Sequence, residues 1–92
     1  METTSPVTFV VGSFVRFKIS DVLLRKSWWT IGIVQRVIDN SSPFCNNILV
    51  ECTDPRRPPW APYEYWLSSF DDKRIELLTE SDYRMYLSQY ST

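Results

Sequence analysis

Histidine is absent from this chain, and with it the side chain that most often serves as a general base near neutral pH and as a neutral metal ligand. Metal binding would have to rely on carboxylates or on Cys45 and Cys52, the only two cysteines, which are seven positions apart. Glycine occurs only as Gly12 and Gly32, so neither a phosphate-cradling loop nor a nucleophile elbow is present. These shortages argue against an enzyme, and no cofactor or metal site is expected. Two cysteines are also too few for a small secreted domain stapled by disulfides. Both are expected reduced, with Cys52 a small core residue and Cys45 in a polar loop. No apolar run approaches the roughly 20 residues that span a bilayer, and residues 1–8 carry neither the basic segment nor the apolar core of a signal peptide. The expectation is a cytoplasmic chain that uses no membrane.

A surplus of charge is missing too. Ten basic and eleven acidic residues leave a net charge of -1, which removes the general pull toward phosphate backbones. The distribution is uneven: seven basic and five acidic residues run up to Arg57, then three basic and six acidic follow. What the chain does have is apolar content of 43% and aromatic content of 15%, enough to fold rather than stay disordered. At 92 residues that means one domain with a modest core.

The periodicity gives strands first and a helix last. Residues 7–11 read as a short opening strand or lead-in, and Gly12-Ser13 punctuates it. Residues 14–19 then alternate, with Val15, Phe17 and Ile19 on one face and Phe14, Arg16 and Lys18 on the other. Residues 21–27 read as a long connection and residues 28–38, rich in β-branched side chains, as the second strand. Gly32 inside that strand marks a bend or the close approach of another backbone. Residues 40–47 are a cluster of turn formers, and Ile48, Val50 and Cys52 share one face of a third strand. Residues 63–67 and 73–78 each supply a short strand, with Asp71-Asp72 as a solvated turn. Tyr83, Tyr86, Leu87 and Tyr90 then fall on one helical face, Thr79 caps that helix with Asp82 three positions on, and Leu78 can staple against Tyr83.

The Gly-Ser-Phe-Val-Arg-Phe start at Gly12, the Trp-Thr-Ile-Gly-Ile-Val-Gln-Arg-Val strand at Trp29 and the Asn-Ile-Leu-Val-Glu-Cys strand ending at Cys52 resemble the opening of small SH3-like barrels, including the Tudor and related chromatin-type branches. Trp29, Gly32, Ile33 and Val34 carry the match, which covers about residues 10 to 78. The resemblance implies a mainly β fold, a small antiparallel SH3-like barrel of about five strands; the proline-rich insertion and the C-terminal helix that the periodicity gives over residues 79–90 depart from the shortest members. It carries no ligand motif, and fold analogy alone assigns no function.

Residues 55–66 hold four prolines, two arginines and four aromatic rings within twelve positions. Proline pre-orders a segment, and aromatic and arginine side chains supply most strong anchors at protein interfaces. Adjacent Trp28 and Trp29 must face opposite sides of a strand, as must Tyr65 and Trp66, so not every ring is expected to be buried. The favoured reading is a noncatalytic protein-interaction module, of the accessory-subunit or inhibitor kind, that grips a partner protein of unknown identity through Trp28, Trp29, Arg56, Arg57, Trp60, Tyr63, Tyr65 and Trp66. Arg56, Pro59 and Pro62 also have the spacing of some peptides that dock into SH3 domains, although the neighbouring rings could instead fold the loop back on the barrel. The alternative is a barrel that binds single-stranded nucleic acid, with Arg16, Lys18, Arg25, Lys26 and Arg36, together with Arg56 and Arg57, meeting phosphates and exposed rings stacking on bases. Self-association through an apolar patch or an unpaired edge is a third reading.

Overall fold

A computed structural model describes residues 9–38, 46–69, 71 and 73–91. Five strands and a helix follow in order: β1 (Phe14–Asp21), β2 (Lys26–Val37), β3 (Ile48–Cys52), β4 (Glu64–Leu67), β5 (Ile75–Leu78) and α1 (Glu80–Tyr90). All pairings are antiparallel, and the sheet order is β4-β3-β2-β1-β5. The chain is mainly β, as its period-two segments imply. It differs from the expected barrel in one respect: hydrogen bonding ends at β4 and β5, which remain the two edges of an open sheet. Each of these strands has only four residues. β4 spends its pairing on β3 and β5 on β1.

Alternation assigns two faces. On one, Val15, Phe17, Val34, Ile48, Val50, Cys52 and Ile75 pack with Phe9 into the larger core, against which Ile19, Tyr65 and Leu67 lie half-buried. The sheet curls around this core. In a flat sheet β1 and β4 would be about 14 Å apart at roughly 4.8 Å per spacing, yet the rings of Phe17 and Tyr65 are 5.5 Å apart. Gly32 permits the curl. A Cβ there would collide with the Glu51 carbonyl oxygen and sit 2.8 Å from Val50 Cγ1 and 3.0 Å from Phe17 Cε1. A bulge between Val34 and Arg36 adds to the bend.

The other face holds Ile31 and Leu78 under Tyr83 of α1, with Phe14, Ile33, Tyr86, Leu87 and Tyr90 around them. The helix begins as its sequence dictates: Thr79 Oγ1 accepts from the Asp82 amide at 3.1 Å, and Leu78 packs in the same cluster as Tyr83. Phe14 and Tyr83 stack with centroids 4.5 Å apart. Asn47, buried before β3, accepts from the Ser69 amide at 2.8 Å and donates to its hydroxyl at 2.9 Å, pinning the exit of β4.

The first connection is shorter than expected. β1 and β2 continue pairing as far as Asp21 and Lys26, leaving a turn of residues 22–25. Asp21 Oδ1 accepts from the Leu24 amide at 3.0 Å, and Arg25 takes a left-handed φ of 52°. The expected long loop is therefore a tight hairpin, because the Asp21 side chain closes the turn locally. Residues 7 and 8 of the expected lead-in, residues 40–45 of the expected turn cluster over 40–47, with Cys45, and Asp72 lie outside the described residues. Among the described residues, no helix is long and apolar enough to cross a membrane.

Candidate functional site: an aromatic groove at one end of the sheet

The loop from Asp54 to Tyr63 is folded by its two arginines. The Asp54 side chain is only 4% exposed. Its Oδ1 accepts from the Arg56 amide at 2.8 Å and its Oδ2 from Thr30 Oγ1 at 2.8 Å. The Arg56 guanidinium closes on both carboxylate oxygens, with Nε at 3.0 and 3.1 Å and Nη2 at 2.7 Å. The same Nη2 donates to the Trp29 carbonyl at 3.1 Å, and the guanidinium carbon lies 3.5 Å from the centroid of the Tyr90 ring. Arg56 thus ties together loop, β2 and α1. Burial pushes the Asp54 carboxyl up, but hydrogen bonds from the Arg56 side chain and backbone and from Thr30, with the guanidinium charge, outweigh it and hold the group below its ordinary value. The Arg56 guanidinium is correspondingly raised, chiefly by its bonds to Asp54.

Arg57 works within the loop. Its Nη1 donates to the carbonyls of Pro58 at 3.1 Å and Ala61 at 2.6 Å, and the Ala61 amide donates to the Pro58 carbonyl at 3.0 Å. The result is a closed turn with Trp60 at its apex, 80% exposed.

Below that apex runs a groove. Two adjoining pockets of about 340 and 280 Å³ share Ile19, Trp28, Pro58, Trp60, Ala61 and Tyr65 as walls. Ile19 and Trp28 are partners across the β1–β2 ladder, and Tyr65 comes from β4, so the curl of the sheet gathers them. The first pocket reaches Thr30, Cys52, Asp54, Arg56 and Arg57. The second opens toward Val22 and Leu23 on the hairpin tip, where Leu23 is 95% exposed. Burial raises the Tyr65 phenol above its ordinary value, helped by Cys52 and opposed by Arg57.

The groove brings together five of the eight residues expected to bind a partner: Trp28, Arg56, Arg57, Trp60 and Tyr65. Tyr63 stands beside it, exposed, with Arg57 5.6 Å from its ring centroid. Trp29 and Trp66 are on the opposite face of the sheet, as alternation requires. Trp29 lies beneath Arg16, 4.3 Å from the guanidinium carbon, whereas Trp66 pairs with Leu49 and is partly exposed. Of the seven cations of the nucleic-acid reading, Arg56 and Arg57 line the groove and the other five are spread over the sheet. Arg16 donates to the Tyr86 hydroxyl at 3.4 Å and lies 3.8 Å from Glu76. Lys18 is on the same face of the sheet, Arg25 and Lys26 are at the hairpin tip, and Arg36 is toward the far end of β2. Pro58 and Ala61 fall within the 55–66 segment expected to grip a partner, whereas sequence reasoning did not identify Ile19, Val22 and Leu23 as part of the site. The signal for Val22 and Leu23 was present in Asp21-x-x-Leu24, a side-chain-closed turn that lifts two apolar residues into solvent.

Cys52 is a buried thiol whose Sγ lies 3.4 Å from Thr30 Oγ1. Among the described residues, no three acidic or thiol side chains converge as metal ligands. No protein-family model matches the chain, and neither the curated proteins nor the solved structures contain a significant match to it.

Proposed function

We propose that this chain is a noncatalytic protein-interaction module, an accessory subunit or inhibitor, that grips a partner protein in the groove between the β1–β2 hairpin and the β3–β4 loop. One observation carries the reading: Trp60 is exposed at the apex of a loop that Arg56 and Arg57 hold in place by hydrogen bonds. Leaving a large ring in water is unfavourable for the free chain. Holding it at the mouth of an apolar groove lowers the entropy cost of docking a partner. We also read the strand order, a four-strand meander whose fifth strand returns to the first, as an opened SH3-like barrel.

The test is affinity capture from native lysate with the unaltered chain and with Trp60→Ala, each with and without nuclease. A nuclease-resistant partner lost in the variant supports the module. A nuclease-sensitive set replaces it with nucleic-acid binding. Concentration-dependent dimerisation abolished by Trp60→Ala replaces it with self-association.

A further inference from the structure

The groove has a charge preference as well as an apolar lining. The hairpin tip and the β3–β4 loop that bound it carry Arg25, Lys26, Arg56 and Arg57 against Asp21 and Asp54; of these Asp21, Asp54, Arg56 and Arg57 line the groove, while Lys26 stands opposite Asp21 at the end of the β1–β2 ladder and Arg25 is beside it on the turn. The remainder of the chain is net acidic, because the whole carries -1. Local pairing sharpens this contrast. Asp54 is neutralised by Arg56 at 2.7 Å. Arg57 bonds to neutral carbonyl oxygens, and no ion pair holds it among the described residues. Arg25 and Lys26 are exposed, and no ion pair holds either among the described residues. Arg57 in the lining and Arg25 and Lys26 beside it on the hairpin therefore outnumber Asp21, the lining carboxylate that Arg56 does not hold, around an aromatic and aliphatic trough.

Resting on the interaction-module reading, we infer that the partner segment is an extended acidic peptide, one that seats apolar side chains between Trp28, Trp60 and Tyr65 and carries Asp or Glu beside them. Its carboxylates meet Arg57 at the floor and Arg25 and Lys26 at the rim. A cationic ligand is disfavoured, since of the two carboxylates that line the groove Asp54 is held by Arg56 and Asp21 accepts from the Leu24 amide and stands opposite Lys26. A polynucleotide fits less well. Its regular phosphate charge would run from this small basic region onto a net acidic chain, and Ile19, Pro58, Ala61, Val22 and Leu23 offer aliphatic contacts suited to side chains rather than stacking platforms. Apolar contacts supply the affinity here and charge supplies partner choice and association rate.

The experiment is selection of displayed random peptides of about 12 residues, long enough in extended form to exceed the groove, on the folded chain. Titration of the selected peptides and of an oligothymidine follows. Three variants are compared: Trp60→Ala, Leu23→Ser and the double change Arg25→Asp with Lys26→Glu. Aspartate suits the left-handed backbone at position 25, and circular dichroism verifies that each variant folds. The expected result is enrichment of apolar peptides rich in Asp and Glu, whose binding is lost in Trp60→Ala and reduced in Leu23→Ser. The charge-reversed hairpin weakens it about tenfold, as does raising salt from about 50 to about 500 mM. Selected peptides that are basic or uncharged, still need Trp60 and ignore salt overturn the acidic preference while leaving the module reading intact. Recovery of no Trp60-dependent peptide overturns both readings, and Trp60-dependent binding of oligothymidine in that case assigns the groove to nucleic acid.

Discussion

Replacing Arg56 with alanine removes the guanidinium from a carboxylate that is almost wholly buried. Asp54 keeps two donors, the residue-56 amide and Thr30 Oγ1, but loses three side-chain contacts of 2.7 to 3.1 Å. The Trp29 carbonyl and the Tyr90 ring lose a partner in the same step. Breaking a fully buried ion pair from one side costs about 3–5 kcal/mol. The guanidinium here is 47% exposed, so water reaches the vacated space and screens the pair, which reduces that figure to about 2 kcal/mol. The lost cation–π stack adds about 0.5–1 kcal/mol. A destabilisation of about 2–3 kcal/mol is expected, roughly a 10 to 20 °C fall in Tm for a domain of this size.

The effect should depend on pH with a definite sign. The folded-state pKa of Asp54 is depressed, so its contribution is fully present above the unfolded value of about 3.9 and disappears as pH falls through the folded value. The gap between the unaltered chain and Arg56→Ala should therefore be widest near pH 7 and shrink below about pH 4. Urea unfolding followed by tryptophan fluorescence at several pH values measures it. A loss under about 0.5 kcal/mol at pH 7, the size of an ordinary surface change, would refute the clamp. So would a loss that stays constant with pH.

Gly32→Ala places a methyl against the Glu51 carbonyl and the Val50 side chain, and should cost about 1–3 kcal/mol in equilibrium unfolding; a neutral effect would mean that the curl of the sheet does not depend on this close approach. Thr79→Ala removes the acceptor for the Asp82 amide and should lower stability by about 1 kcal/mol, with Thr79→Ser retaining most of it. Trp60→Ala should leave unfolding within about 0.5 kcal/mol of the unaltered chain while abolishing partner binding, because the ring is mostly in solvent. A large loss of stability in that variant would show that Trp60 is structural, and would remove the observation on which the proposed module rests.

Local periodicity alone determined much of this protein. The alternation of Val15, Phe17 and Ile19 set the core face of β1, the Ile48-Leu49-Val50-Glu51-Cys52 run gave β3 its bounds, and Thr79 with Asp82 fixed where α1 begins. These features depend on neighbours within a few positions, where side-chain direction follows backbone geometry directly. The opposite orientations of Trp28 and Trp29, and of Tyr65 and Trp66, were legible for the same reason. Tertiary structure decided what those orientations mean. Phe14, Arg16 and Lys18 form an outer face of β1 in the sequence, but α1 packs across that face, where Phe14 lies under Tyr83 and Arg16 lies between Trp29 and Tyr86. Arg56 and Arg57 present themselves in the sequence as contacts for a partner, and in the fold they hold the loop that exposes Trp60. The groove is assembled from β1, β2, β4 and the loop before β4, residues up to 46 positions apart, and it exists because the sheet curls at Gly32 without closing. Such long-range packing is invisible to a pattern read along the chain, since it depends on which face meets which neighbour rather than on the order of residues.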